Sequence, residues 1–94
     1  MAEDAALVEE LLRDFPEMRF GYRTALAPDE ALRHLVRHMA YITNELAAKE
    51  PENVGIAKAF GWAQRLAGDA SRAPLAALFE AHLSPMAREV AARR

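Results

Sequence analysis

The chain has 94 residues, a formal net charge of −2 and a 52% share of hydrophobic residues, of which 21 are alanine. That length buries roughly 60–65% of the surface of an unfolded chain, enough for one core spanning residues 1–94 and none for a second catalytic domain or a large enclosed cofactor. Interspersed charge of both signs lacks the basic footprint that phosphate binding demands, and the absence of cysteine excludes disulfides, thiolate metal sites and a cysteine nucleophile.

A chain without cysteine suits a reducing compartment, and a cytoplasmic location is expected. The opening MAEDAALVEELL is acidic, with no positive start or long apolar run, so it does not read as a signal peptide. No stretch approaches the ~18 apolar residues of a membrane span. Ten arginines against two lysines, with the alanine load, point to a GC-rich bacterial genome.

Strand signals are missing and helical periodicity runs almost throughout, which predicts an all-α fold. In the first segment Leu7, Val8, Leu11, Leu12 and Phe15 form one apolar stripe. Glu3 and Asp4 fall in its first turn, where the helix dipole favours acids. Pro16 forces a break around Asp14 and Phe15. A short second helix is predicted over about residues 16–25, with Met18, Tyr22 and Leu26 on one face and Gly21 weakening it.

Pro28 suits the first position of a third helix, with Asp29 and Glu30 behind it. It is predicted to be the longest, over about residues 28–49, with Leu32, Leu35, Val36, Met39, Ile42, Thr43 and Leu46 inward and Pro51 ending it. A fourth helix is predicted over 54–67, with Ile56, Phe60, Ala63 and Leu66 or Ala67 inward and Gly68 at its C-cap. Gly55 and Gly61 inside it each cost up to about 1 kcal/mol against alanine, which suggests close approach of a neighbouring helix. A fifth helix begins near Pro74 with Leu75, Leu78, Phe79 and Leu83 inward. Ser84–Pro85 caps a sixth, with Met86 and Val90 inward. The expected architecture is a compact bundle of five to six short antiparallel helices.

The chemistry-bearing patterns are few. His34 and His38 stand at i and i+4, the spacing of a two-histidine metal grip, and Glu45 or His82 are conceivable further ligands. The zincin pattern needs glutamate directly after the first histidine, and Leu35 is there instead. Ordinary boundary histidines are the favoured reading, and no metal or cofactor is expected. Arg33, His34, Arg37, His38 and Tyr41 make a contiguous arc beside the core stripe of the third helix. Arginine and tyrosine are the residue types that protein interfaces favour, so an acidic partner surface is the expected complement. Titrating histidines on such an arc imply a contact that weakens as pH rises. Trp62 lies off the inward stripe of the fourth helix, and reads either as a partner anchor or as packing against a neighbouring helix.

Enzyme signatures do not assemble. Gly55, Gly61 and Gly68 are scattered rather than gathered in a phosphate loop. Ser71 and Ser84 sit where helix caps belong, and Glu9 and Glu10, adjacent in sequence, point apart. A helix-turn-helix reading would use the fourth helix, with Lys58, Gln64 and Arg65, but the net acidity opposes DNA binding.

Taken together, LLRDFPEMRFGY, AFGWAQRLAGD and LAALFEAHLSP resemble small bacterial all-helical proteins of a domain of unknown function, some encoded beside polymorphic toxin systems. Those proteins commonly carry a glutamate at or near the place of Gln64. The alanine-rich core, thin in large side chains, suggests completion by a partner or, as a homo-oligomer, by a second copy of the chain. The resemblance implies a protein that binds and neutralises another protein, as immunity proteins do; it carries over no catalytic residues. The expected function is therefore protein–protein contact by an immunity or inhibitor protein that occludes a toxin or enzyme. The expected contact residues are Arg33, Arg37, His38, Tyr41 and Trp62. A DNA-associated regulator is the competing reading, with a metal-binding protein or an enzyme behind it.

Overall fold

A computed structural model describes residues 2–20 and 26–93, with side chains for all of these except Ala2 and Phe20. Helix α1 runs Ala2–Asp14, α2 Pro28–Lys49, α3 Val54–Ala67, α4 Ala73–Ala81 and α5 Pro85–Ala92. A short 3-10 segment, Pro16–Phe20, follows α1. No strand occurs among the described residues, so the fold is an all-α bundle.

Local chemistry sets these boundaries. Phe15 ends α1 because Pro16 excludes helical backbone at the residue before it, and the Phe15 carbonyl then accepts from the Met18 N–H at 3.0 Å to start the 3-10 turn. Of the second helix expected from the sequence, Pro16–Phe20 form a 3-10 segment, and the remaining residues 21–25 lie outside the described residues. Pro28 opens α2. The Asn53 side chain caps α3 by accepting from the Gly55 N–H at 2.7 Å, and Ser84 caps α5 by accepting from the Ala87 N–H at 3.0 Å. Each such cap satisfies a donor the helix itself cannot pair. Gly68 holds the C-cap of α3 with φ −74, a right-handed conformation open to any residue.

The core is built around α2, whose Leu32, Leu35, Val36, Met39 and Thr43 are buried against the other helices. Leu11, Leu12, Phe15, Met18, Ile56, Leu66 and Phe79 supply most of the remaining bulk. Thr43, the one buried polar residue described, satisfies its hydroxyl by donating to the Met39 carbonyl at 2.8 Å. The fold spans 37 × 29 × 18 Å. Its thin dimension is less than two helix diameters of about 10–12 Å, so the helices keep solvent faces.

Two inward stripes differ from the expected ones. In α3 the buried set is Ile56, Ala59, Trp62, Ala63 and Leu66, while Phe60 is half-buried and Ala67 exposed. In α5 Ala87 and Val90 are buried and Met86 is 52% exposed. The glycines of α3 also part company. A Cβ on Gly55 would stand 3.0 Å from Leu46 Cδ1, so α2 and α3 do approach closely there. One on Gly61 would meet nothing within 4 Å, so no such contact accounts for it.

Candidate functional site

Every fourth residue of α2 from Asp29 onwards lies on its outer side: Arg33, Arg37, Tyr41, Glu45 and Lys49 are all exposed. Spacing of four residues sets them about 6 Å apart in rise, with a drift of about 40° round the axis per step, so that neighbouring members of the row lie close together. At the C-terminal end Lys49 Nζ meets Glu45 Oε1 at 2.8 Å, which holds the Glu45 carboxyl below its usual value through that hydrogen bond and the ammonium charge. That pair neutralises itself. Arg33 and Arg37, by contrast, make no ion pair among the described residues.

Tyr41 is 54% exposed and is braced from one side. The His82 ring stands edge-on to it, with centroids 5.7 Å apart and planes at 82°. His82 is itself fixed by its Nδ1–H, which donates to the Leu78 carbonyl at 2.9 Å. Asn44, three residues on from Tyr41, clamps the same turn: its Nδ2 donates to the His82 carbonyl at 2.9 Å and its Oδ1 accepts from the Ser84 N–H at 2.8 Å. The α4–α5 turn is thereby pinned beside Tyr41, and the exposed Met86 follows in the first turn of α5.

His34 and His38 lie one step further round α2 and are half-buried, with their rings edge to face at 6.3 Å. No three His, Asp or Glu side chains among the described residues converge where a metal ion would sit. Of the expected contact residues, Arg33, Arg37, His38 and Tyr41 thus share one region of surface. Trp62 does not belong with them. It is 6% exposed, its indole N–H donates to Asp14 Oδ2 at 2.7 Å, and the Arg65 guanidinium lies 4.7 Å from its ring centroid. With both its ring and its polar tip engaged, it is a packing residue and offers no anchor to a partner. Arg65, offered by the sequence to DNA, pairs with Glu10 at 2.8 Å.

Sequence reasoning missed a cleft of about 530 Å³ where the N-terminal ends of α1, α2 and α4 meet. Leu32, Pro74, Leu75 and Leu78 give it an apolar side; Glu3, Asp4, Asp29, Arg33, Ser71 and Arg72 give it a charged rim. Arg72 is committed within the chain, to Asp4 at 2.9 Å and Asp69 at 3.7 Å. Arg33 belongs both to this rim and to the α2 row, so cleft and row are continuous. No local sequence signal marks the cleft, because its walls come from residues about seventy positions apart, and only Arg33 stood out as a candidate. Comparison with known proteins finds no matching family model, curated protein or solved structure. No described helix is long and apolar enough to cross a membrane.

Proposed function

We propose that this protein acts by binding another protein through the outer side of α2, and that in doing so it covers a functional surface of that partner, as an immunity or inhibitor protein does. The observation that carries the reading is the pair of arginines on successive turns that make no ion pair among the described residues, beside a half-exposed tyrosine held in place by His82. Arginine and tyrosine are over-represented at energetically important contact positions, and a braced tyrosine loses little freedom on binding. Two exposed cations with no ion pair among the described residues suit an acidic complement, which would also steer the encounter. The resemblance of the sequence to proteins encoded beside toxin systems supports inhibition as the purpose of the contact.

The test is affinity capture of the partner from the producing cells, followed by binding measurements with Arg33→Glu/Arg37→Glu. Reversing two rim charges is expected to weaken binding by about tenfold or more at 0.15 M salt, with a smaller effect at high salt. Unchanged affinity for the recovered partner would contradict the proposal.

A further inference from the structure

Four members of the outer row of α2 carry a pattern that is its own complement. In chain order they are Arg33, Arg37, Tyr41 and Glu45, all exposed. The row follows the four-residue ridge of the helix, and two such ridges pack side by side when their helices cross at about −50°. The four span about 18 Å of rise and about 120° round the axis, narrow enough for long side chains to meet one crossing helix.

A two-fold axis sets each residue of an interface against a different residue of the second copy, and the pairing is reciprocal. With the axis between Arg37 and Tyr41 and the helices antiparallel, Arg33 faces Glu45 of the second copy and Arg37 faces its Tyr41. Both pairings are chemically matched. Lys49 bonds Glu45 Oε1 at 2.8 Å, and Oε2 has no hydrogen bond or ion pair among the described residues, so a second cation finds an acceptor there. Arginine over a tyrosine ring is a favourable cation–π contact, and Tyr41 is 54% exposed. Arg33 and Arg37 bring no ion pair among the described residues that would have to be broken.

Neighbouring registers are worse. An axis through Arg37 sets that arginine against its own copy, an axis between Arg33 and Arg37 sets those two against each other, and an axis through Tyr41 sets Arg33 against Lys49. The exposed charges of α2 are Asp29, Glu30 and Glu45 against Arg33, Arg37 and Lys49, three of each sign, so two copies approach this face without net repulsion.

We infer that the α2 face, in the absence of another partner, is covered by a second copy of this chain, packed antiparallel in a two-fold dimer with Arg33 on Glu45 and Arg37 on Tyr41. This rests on the reading of α2 as a protein-binding face and adds its regulation: the dimer withholds the face, and a different protein must displace the second copy to reach it. Exposed ion pairs contribute little each, so the dimer is weak, as displacement requires.

The experiment is sedimentation equilibrium of the intact chain alone, at concentrations up to about 1 mM. Reversible association of monomer to dimer is expected. Arg33→Glu and Glu45→Arg each place like charges in both reciprocal pairs, and each is expected to raise the dissociation constant about tenfold. Arg33→Glu/Glu45→Arg is expected to bring it back to within about threefold of wild type, because the exchanged pair again has opposite signs. Far-UV circular dichroism checks that these exposed substitutions leave the helices intact. A second measurement needs no variant: the wild-type dissociation constant is expected to rise with added salt. A chain that stays monomeric throughout would overturn the inference. So would a dimer indifferent to salt or to the single reversals, or one that the charge exchange does not restore, since its contact would lie on another face. Failure of the partner-binding reading is registered separately, by the captured partner's indifference to Arg33→Glu/Arg37→Glu.

Discussion

Gly61 and Gly55 lie in one helix, and replacing each by alanine should move stability in opposite directions. Gly61 is exposed in the middle of α3, and an added Cβ would meet nothing within 4 Å. Gly61→Ala therefore keeps only the propensity gain, about 0.5–1 kcal/mol, from a smaller loss of backbone entropy on folding. For a domain of this size that corresponds to roughly 2–8 °C in Tm. At Gly55 the Cβ would lie 3.0 Å from both Leu46 Cδ1 and Asn53 Oδ1, and that oxygen is the one capping α3 through the Gly55 N–H at 2.7 Å. Displacing the cap costs about 0.5–2 kcal/mol, and moving Leu46 adds to it. Gly55→Ala should lose at least as much as the propensity gain returns. Urea unfolding followed by far-UV circular dichroism and Trp62 fluorescence gives both values, provided the two probes coincide and the slopes match wild type. A destabilised Gly61→Ala would refute the open environment assigned to α3 there. A Gly55→Ala as stable as Gly61→Ala would refute the close approach of α2 and α3.

Asn44→Ala removes both hydrogen bonds that fasten the α4–α5 turn to α2; a loss of about 1–3 kcal/mol in urea unfolding is expected, with the His82 ring signals moving as its contact with Tyr41 loosens. Trp62→Phe leaves the Asp14 carboxylate without its indole donor and is expected to cost about 1 kcal/mol, read by the same unfolding assay. The Asp69 carboxyl titrates below its ordinary value because the Ser71 hydroxyl and then the Ser71 backbone N–H donate to it. A depressed folded value means that its contribution is present above the ordinary carboxylate range and is lost as pH falls through that lowered value. Ser71→Ala should return the Asp69 titration, followed by carboxyl-carbon NMR, toward the ordinary value.

The helix boundaries were legible because each is written in residues with one local meaning. Pro28 and Pro85 open helices, Asn53 and Ser84 cap them, and Pro16 stops one. The inward stripe of α2 was legible for a different reason: twenty-two residues give the periodicity room to select one phase, and its leucines, valine and methionine fall on or beside that phase. In α3 alanine weakened the signal. Ala59 and Ala63 are buried and Ala57 and Ala67 exposed, so the small residues mark neither face, and the phase containing Trp62 could not be distinguished from the one containing Phe60. In the eight-residue α5 the same ambiguity set Met86 against Ala87. Bulk favoured methionine, but the small alanine is the one with no exposed surface, and methionine points to solvent.

The candidate surface divides along similar lines. Arg33, Arg37 and Tyr41 lie together because a single helix carries them, which spacing alone reveals. The parts that give the surface its shape come from elsewhere in the chain. The His82 brace and the Asn44 clamp join positions about forty residues apart, and the cleft joins the starts of three helices. Nothing in local spacing encodes such meetings, since they depend on how α4 packs across α2.

Amide hydrogen exchange on the complex with the captured partner tests the central claim most directly. Slowed exchange is expected along the turns of α2 from Arg33 to Glu45 and in the pinned segment from His82 to Met86, with the exposed side of α3 from Ala57 to Arg65 unchanged. Protection confined to α3, with α2 exchanging as it does in the free protein, would contradict it.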